Sequence, residues 1–336
     1  MSTRFFALLS LFAVFALGAA TPVAADDSDG VHRFATLPKP GPGFPEGIAA
    51  DWRGRIFVAT FDFSTTNVIY IFDRNGKVDE TISLPGAVPL GLEFDRHGNL
   101  WVANFGGGNI LKFTPPFNSG SVPQTFPITG CPGPSLGECG LNAITFDKAS
   151  DLYVSDSFGG RIFKIDLPAG SSSVFLEPID PVTGDNPLRP GNHGFPPFGA
   201  NGLAFDRSGN LFIANTADDR ILKMDAATKA VTPFAESING ADGIAFDSKG
   251  RLWVAANQAD EVVRLNSRGR IVERVGSFQG VGKDGAARGL LFPASIVLSR
   301  GDIYVTNLAL ALTGAVGDES EEDVSTYTVS RFRIPH

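Results

Sequence analysis

The sequence predicts an all-β fold of the propeller class, a six-bladed β-propeller with four strands in each blade. Three observations support this prediction: a motif that occurs six times, a strand pattern that follows each copy, and a lone strand at each end of the chain. Four short strands that repeat at intervals of about 40 residues are typical of propeller blades. We therefore expect residues 26–336 to form one domain, although length alone would favour two.

The repeated motif joins a short apolar strand, a turn of the D-x-x-G type and a second strand rich in aromatic and β-branched residues. A clear copy is NGLAFDRSGNLFIAN, which begins at Asn201, and the last copy is degenerate. The copies begin 41 to 59 residues apart. The six starting residues are Glu46, Leu90, Asn142, Asn201, Asp242 and Ala294.

Further strands follow most copies of the motif. RIFKID at Arg161 reads as a third strand, and VTPFAES at Val231 reads as a weaker fourth. The last copy has a third strand, STYTVSRFRI from Ser325, and the chain then stops without a fourth. VHRFATL from Val31 reads as a fourth strand that has no blade of its own. We expect these two strands to pair, which closes blade six and leaves no open sheet edge.

The first 25 residues have the features of a secretory signal peptide. Arg4 precedes an apolar run over residues 5–20, and small residues lead to a predicted cleavage after Ala25. The run is shorter than the roughly 20 residues that a membrane-spanning helix needs. No Cys stands at the cleavage point to carry a lipid. We therefore expect a secreted or periplasmic protein with no membrane anchor.

Charge and cysteine content limit the partners and the compartment. The formal net charge of −8 argues against nucleic acid as a partner. We expect a small-molecule ligand instead. Cys131 and Cys139 are the two cysteines of the chain, and in an oxidising compartment we expect them to form a disulfide.

The six starting residues should surround one mouth of the central channel, because the first strand of each blade is the innermost. Four of them carry oxygen donors, and these are Glu46, Asn142, Asn201 and Asp242. Two carboxylates and two amides suit a hard divalent cation, most simply Ca²⁺, and the lack of Cys and His argues against zinc. Asn-Gly and Asp-Gly are also ordinary turn formers, but a bend gives no reason for Glu46.

The long connections of the chain should lie over the same mouth, where they would build a substrate pocket. They are residues 129–141, 178–200, 278–293 and 308–325. Two more candidate catalytic residues fall on this face. Asp156 ends the second strand of blade three and could support the metal ligands or act as a base. His193 could take part in catalysis, or it could be an ordinary loop histidine in contact with water.

These motifs resemble those of the gluconolactonase and senescence-marker-protein (SMP-30, LRE-like) family, to which the paraoxonases and squid-type diisopropylfluorophosphatases are related. Glu46 in PEGIAAD, Asn201 in ANGLAFD and Asp242 in ADGIAFD match metal-binding positions of that family. Asn142 in LNAITFD matches a ligand of the related phosphatases and paraoxonases, with Ala143 in place of the usual Gly. The Arg-containing sugar-contact segment of gluconolactonases and the His pair of paraoxonases have no counterpart here.

The resemblance implies a calcium-dependent hydrolase that acts on a lactone or a similar ester. Calcium would polarise the carbonyl group, and Asp242 would serve as general base or orient the water. A carboxylate bound to a cation loses basicity, so Asp156 and His193 stay open as alternatives. Individual blades also resemble NHL repeats, which suggests a rival function as a non-catalytic binding propeller with a structural calcium. A lyase or a strictosidine-synthase-like activity on the same scaffold is a third possibility.

Overall fold

The computed structural model describes residues 30–133, 139–191, 197–310 and 323–335. Six antiparallel sheets of four strands each are arranged as the six-bladed β-propeller that the repeats predicted. Within these residues, two 3-10 helices also occur, Phe105–Gly107 and Asn257–Ala259. None of the helices in the described ranges has the length and apolar character needed to cross a membrane.

The first three blades follow the order of the chain. Blade one contains β2 to β5, at Pro45–Ala50, Ile56–Thr60, Asn67–Phe72 and Val78–Leu84. Blade two contains β6 to β9, at Pro89–Phe94, Leu100–Asn104, Asn109–Phe113 and Gln124–Pro127. Blade three contains β10 to β13, at Leu141–Phe146, Leu152–Asp156, Arg161–Asp166 and Ser171–Leu176.

The next two blades continue this order, and the last blade uses both ends of the chain. Blade four contains β14 to β17, at Ala200–Phe205, Leu211–Asn215, Arg220–Met224 and Val231–Ala235. Blade five contains β18 to β21, at Ala241–Phe246, Leu252–Ala256, Glu261–Leu265 and Ile271–Val275. Blade six contains β24 and β25, at Pro293–Ser299 and Asp302–Asn307, with β26 at Thr328–Arg333 and β1 at His32–Thr36.

The closure of blade six is confirmed. Strand β1 pairs antiparallel with β26, in a register that runs from His32 opposite Arg331 to Thr36 opposite Thr328. The strand order in this sheet is β1, β26, β25, β24. The two termini therefore meet in one sheet, which joins blade six to blade one.

One long connection contains structure that the sequence did not predict. Residues 278–293 were expected to be a loop, but they include the hairpin of β22, Phe278–Val281, and β23, Ala287–Gly289. The turn is closed by a hydrogen bond from the Gly282 N–H to the Ala286 carbonyl. Glycines interrupt the alternation of polar and apolar residues in both strands, which hides the strand signal in the sequence.

The blades are held together by hydrophobic clusters at their junctions. Between blades one and two, Phe57 and Ile69 pack with Leu100. At the closing junction, Phe34 and Tyr304 of blade six pack with blade one. Corresponding clusters fill the other four junctions. Since every blade buries both of its faces against neighbours, the position of the innermost strands is fixed around the channel.

Candidate metal centre and pocket at the channel mouth

Each of the six motif-starting residues is the second residue of an innermost strand. In β2 the register passes from Pro45 opposite Thr60 to Ile48 opposite Val58, so two residues of β2 face one of β3. The other five innermost strands have the same irregularity. A β-bulge turns its extra residue out of the regular alternation. This geometry brings the second residue of each strand to the channel mouth.

The glycine that follows the starting residue is needed for close packing between blades. A β-carbon on Gly91 would collide with the backbone carbonyl of Asn142 in the next blade, and one on Gly202 would collide with that of Asp242. The frequent X-Gly pair at the start of the motif therefore reflects a close approach of neighbouring innermost strands. This close approach explains why glycine occupies the second position of the motif. It does not explain which residue occupies the first position.

The four predicted oxygen donors are brought together in one small cavity. Glu46, Asn142, Asn201 and Asp242 all line a cavity of about 40 Å³ and are 5%, 3%, 4% and 5% exposed. Leu90 of blade two lines the same cavity. Polar side chains with so little exposure need partners.

A second set of residues, which the sequence reasoning missed, lies beside the oxygen donors, and three of its members bond to them. It consists of the residue that directly follows the second strand of each blade. Its members are Phe61, Phe105, Ser157, Thr216, Asn257 and Leu308. We call these six residues the outer ring. Extending the comparison of the six copies by one residue would have revealed it.

The two hydroxyl groups of the outer ring fix the amides of blades three and four. The Asn142 Nδ2 group donates to the Ser157 Oγ atom at 3.3 Å, and the Asn201 Nδ2 group donates to the Thr216 Oγ1 atom at 2.9 Å. The Ser157 hydroxyl donates its own hydrogen to a carbonyl of blade four, at 2.6 Å, and that of Thr216 donates to a carbonyl of blade five, at 2.7 Å. Each hydroxyl oxygen must therefore accept from the amide nitrogen, which leaves both amide Oδ1 atoms available as ligands.

Asn257 plays the corresponding part in blade five. Its Nδ2 group donates to the Asp242 Oδ2 atom at 3.1 Å, and the side chain is buried. This bond holds one Asp242 oxygen, and the other, Oδ1, has no hydrogen-bond partner among the described residues. Asn257 is thus a functional residue of the site that the sequence reasoning did not select.

Three buried oxygen atoms of the site have no hydrogen-bond partner within the described part of the chain. They are Glu46 Oε2, Asp242 Oδ1 and Asn257 Oδ1. Burial, with the nearby charge of Asp242, holds the pKa of Glu46 well above its usual value. Burial also raises the pKa of Asp242 to about 7, although hydrogen bonds from Asn257 and Asn201 oppose this effect. No cationic side chain of the described residues pairs with either carboxylate.

The donor set fits a hard divalent cation. Two carboxylates and the oriented amide oxygens converge on one cavity, and three of the buried oxygens lack a donor. Calcium accepts carboxylate and amide oxygens together, with water in its remaining positions. Among the described residues no group of three or more His, Cys, Asp or Glu side chains is placed so that it could hold a metal ion. A cation at this mouth would therefore depend on the amide oxygens of Asn142 and Asn201.

The structure gives Asp156 partners that account for its burial. Its Oδ1 atom accepts from the Gly140 N–H at 2.9 Å, and its Oδ2 atom forms an ion pair with Arg161 at 2.7 Å. At the same position in blade two, Asn104 accepts from the Val88 N–H in the same way. Asp156 does not line the cavity, and its geometry gives no support to a role as base. His193 and residues 1–25 lie outside the described residues.

A disulfide anchors the chain that leads to Asn142. Cys131 and Cys139 are joined, with their Cα atoms 5.2 Å apart, and both side chains are buried. Cys139 directly precedes Gly140, whose N–H donates to Asp156. The bridge and this hydrogen bond together hold the start of β10 beside the mouth.

The fold and the site define a six-bladed β-propeller with an oxygen-lined channel mouth. Residues 196–277 match the family model described as the SMP-30/Gluconolactonase/LRE-like region. The resemblance carried by the blade motifs is therefore confirmed over these residues. The matched residues include Asn201, Asp242 and Asn257 of the site.

Solved structures support the same fold. The chain is similar to a luciferin-regenerating enzyme, at 14% identity over 90% of this chain and 94% of that one, with a TM-score of 0.64. It is similar to a gluconolactonase from Xanthomonas campestris, at 13% identity over 91% and 89%, with a TM-score of 0.62. It is also similar to a virginiamycin B lyase from Staphylococcus aureus, at 14% identity over 91% and 99%, with a TM-score of 0.56. No curated protein sequence matches the chain significantly.

Proposed function

We propose that this protein is an exported, calcium-dependent hydrolase that opens a lactone or a similar ester at the channel mouth. The observation that carries the proposal is the convergence of Glu46, Asn142, Asn201 and Asp242 on one cavity, with buried oxygens that lack a donor. The SMP-30/gluconolactonase/LRE-like region supports the class of chemistry. Export rests on the signal peptide that the sequence predicts and is supported by the disulfide.

In this proposal the cation would be held by the four oxygen donors Glu46, Asn142, Asn201 and Asp242. When bound, it would polarise the substrate carbonyl and stabilise the negative charge that develops on the carbonyl oxygen. Ser157 and Thr216 keep the two amide oxygens turned toward the cavity. Asn257 holds one oxygen of Asp242, so that the other can orient a water molecule toward the carbonyl carbon. Addition of water and cleavage of the ring C–O bond then give the hydroxy acid.

One observation favours the rival function, a non-catalytic binding propeller with a structural calcium. Glu46 and Asp242 are the titratable residues among the described residues that line the cavity, and both are proposed ligands. A carboxylate that binds a cation is a weaker base than a free one. If no other group supplies a base, calcium would stabilise the ring of blades without turnover.

The first prediction separates these functions through the variant Asp242→Asn. It keeps the shape of the side chain but removes one negative charge and any role as a base. We expect weaker calcium binding, an intact fold, and a loss of lactone turnover of about 100-fold or more at saturating calcium. The measurements are calorimetric calcium binding, the melting temperature and a panel of lactones.

The control for this experiment is Asp79→Asn, an exposed aspartate on the opposite face that pairs with Arg55. We expect it to bind calcium and turn over lactones as the natural chain does. Calcium binding without turnover of any lactone or ester would replace the hydrolase with the binding propeller. Absence of calcium binding in the natural chain would overturn the metal site itself.

A further inference from the structure

The channel mouth has a polar half and an apolar half. In the outer ring, blades three, four and five contribute Ser157, Thr216 and Asn257, whereas blades six, one and two contribute Leu308, Phe61 and Phe105. The starting residues of the innermost strands follow this division in five blades, with apolar residues in blades two and six, and Glu46 of blade one is the exception. Three of the four potential ligands, Asn142, Asn201 and Asp242, therefore belong to the polar half, and the apolar outer-ring residues of blades six, one and two face them across the mouth.

The apolar half is held rigid by aromatic packing. Phe105 is buried, with its ring centroid 6.1 Å from that of Phe61, 5.6 Å from that of Phe158 and 6.2 Å from that of Phe198. Phe61 and Phe198 line the cavity. Phe105 packs against Phe61 and Phe198 but does not itself line the cavity. The Phe61 and Phe198 rings therefore present a preformed surface to a ligand.

The size of the cavity places most of a substrate outside it. A volume of about 40 Å³ has room for an ion and a small functional group, but not for a whole organic ligand. The remainder of a substrate must lie on the rim. There Phe63 is 71% exposed and packs on Phe61, with ring centroids 4.9 Å apart. An exposed aromatic side chain beside a cavity extends the apolar surface outward.

Among the described residues, the apolar side chains of this surface offer no hydrogen-bonding group to a polyhydroxylated substrate. The described lining contains no Lys or Arg, and its carboxylates are the proposed metal ligands Glu46 and Asp242. Hydroxyl groups placed against Phe61, Phe198 and Leu308 would lose their hydrogen bonds to water without replacement. An alkyl or aryl group in the same place would gain from the removal of apolar surface from water.

On the basis of the proposed hydrolase function, we infer that the substrate is a hydrophobic lactone or ester with an alkyl or aryl substituent. Its carbonyl group lies at the polar half, near Asn201 and Asp242. Its substituent lies across Phe61 and Phe198 toward Phe63. A sugar lactone, which has hydroxyl groups where this substituent would be, is a poor substrate.

The test compares δ-lactones that differ only in their substituent. We expect kcat/KM at saturating calcium to rise roughly two- to fourfold for each methylene from δ-hexalactone to δ-decalactone. D-glucono-δ-lactone should be slower than unsubstituted δ-valerolactone. A flat series, or a preference for the sugar lactone, would overturn the inference.

Two variants connect the preference to the surface. Phe198→Ala should reduce the ratio between δ-decalactone and δ-valerolactone by about fivefold or more. Phe63→Ser, at an exposed side chain that the fold does not need, should lower this ratio by about twofold. Trp52→Ala is the control, because Trp52 is 80% exposed in the turn between β2 and β3, at the ends of these strands that lie away from the mouth. Unchanged ratios in both Phe variants would contradict the assignment of the surface.

A binding measurement distinguishes failure of this inference from failure of the hydrolase proposal. δ-Lactams with and without a pentyl substituent resemble the lactones but resist hydrolysis, and their affinities can be measured by calorimetry with calcium present. Tighter binding of the pentyl lactam without turnover of any lactone would retain the ligand class and remove the hydrolase. Turnover of lactones with equal lactam affinities would retain the hydrolase and remove the ligand class.

Discussion

Ser150 occupies, in blade three, the turn position that glycine fills in blades one, two, four and five. Its φ of +70° is close to the +81° of Gly98 in blade two. In each of these turns an aspartate accepts hydrogen bonds from the backbone, as Asp147 does from Ala149 and Asp151. Serine therefore adopts a left-handed backbone conformation because the turn requires it, at a cost that glycine would avoid.

The second prediction follows from this residue. Ser150→Gly should raise the free energy of unfolding by about 0.5 to 1 kcal/mol, since it removes the left-handed strain at the expense of some chain entropy. Gly98→Ser is the matched reverse change, because no atom lies within 4 Å of the β-carbon it would add. It should lower stability by a similar amount. Denaturant unfolding of both variants checks the pair, and shifts in the same direction would refute it.

Glu93 is a carboxylate in the innermost strand of blade two. The residues that correspond to it in the other blades are Ala49, Thr145, Ala204, Ala245 and Val297. Burial raises the pKa of Glu93 to about 7, although its Oε1 atom accepts a hydrogen bond from the Phe94 N–H at 3.0 Å. The folded state therefore holds a proton on Glu93 at a pH where the unfolded chain has released it.

The third prediction concerns pH. Because the folded-state pKa is raised, the contribution of Glu93 to stability falls as the pH rises from about 4.5 to about 7. Glu93→Gln removes this dependence. The variant should gain about 1 to 2 kcal/mol relative to the natural chain between pH 5 and pH 8, a value reduced because Glu93 keeps some access to solvent.

Melting temperatures at pH 5 and pH 8 provide the measurement. Glu80→Gln, at an exposed glutamate of β5, is the control. Its difference in melting temperature from the natural chain should be the same at the two pH values. A stability difference for Glu93→Gln that does not change with pH would rule out the raised pKa as its cause.

Strand β1 shows how much one terminal element can contribute. It supplies the fourth strand of blade six, and its side chains Phe34 and Ala35 are buried at the junction with blade one. The ring centroid of Phe34 lies 4.8 Å from that of Tyr304 and 6.3 Å from that of Phe72. Without β1, both β26 and the edge of this hydrophobic cluster would be exposed to water.

The fourth prediction is that deletion of residues 31–37 destabilises the whole protein. The deletion removes a complete strand ladder and several buried side chains, so we expect a loss well beyond the effect of an ordinary terminal truncation. The point variant Phe34→Ala should cost about 3 kcal/mol. Thr36→Ala, at an exposed position of the same strand, is its control. An unchanged melting temperature in the deletion would contradict closure through β1.

The channel mouth depends on the whole ring, because its proposed ligands come from blades one, three, four and five. Glu46 and Asp242 belong to blades that are separated by three others along the chain. The carbonyl of Glu46 also accepts a hydrogen bond from Thr306 of blade six, at 2.8 Å. A cation bound here would therefore link distant parts of the sequence.

The fifth prediction is that calcium stabilises all six blades together. At a free calcium concentration 100 times the Kd, the gain is about 2.7 kcal/mol, or about 4 °C for a chain of this length. Scanning calorimetry with calcium and with chelator should show one transition that shifts. The double variant Glu46→Gln with Asp242→Asn should abolish the shift. A shift that persists in this variant would place the calcium site elsewhere.

The sequence by itself determined the propeller, the number of blades, their closure through both termini, and the four residues that meet at the channel mouth. These follow from a repeat, because each copy of the motif must form the same blade and place its starting residue in the same position. The tertiary structure alone revealed the roles of Asn257 and the hydroxyl groups, which act between strands and between blades. It also decided that Asp156 is held by Arg161, and that Phe61 and Phe198 form one surface. The bonds that the two hydroxyl groups donate, and the surface of Phe61 and Phe198, join different blades, whose spacing in the sequence carries no signal of distance. The contacts of Asp242 with Asn257 and of Asp156 with Arg161 lie within one blade and depend on side-chain directions that the repeated motif does not specify.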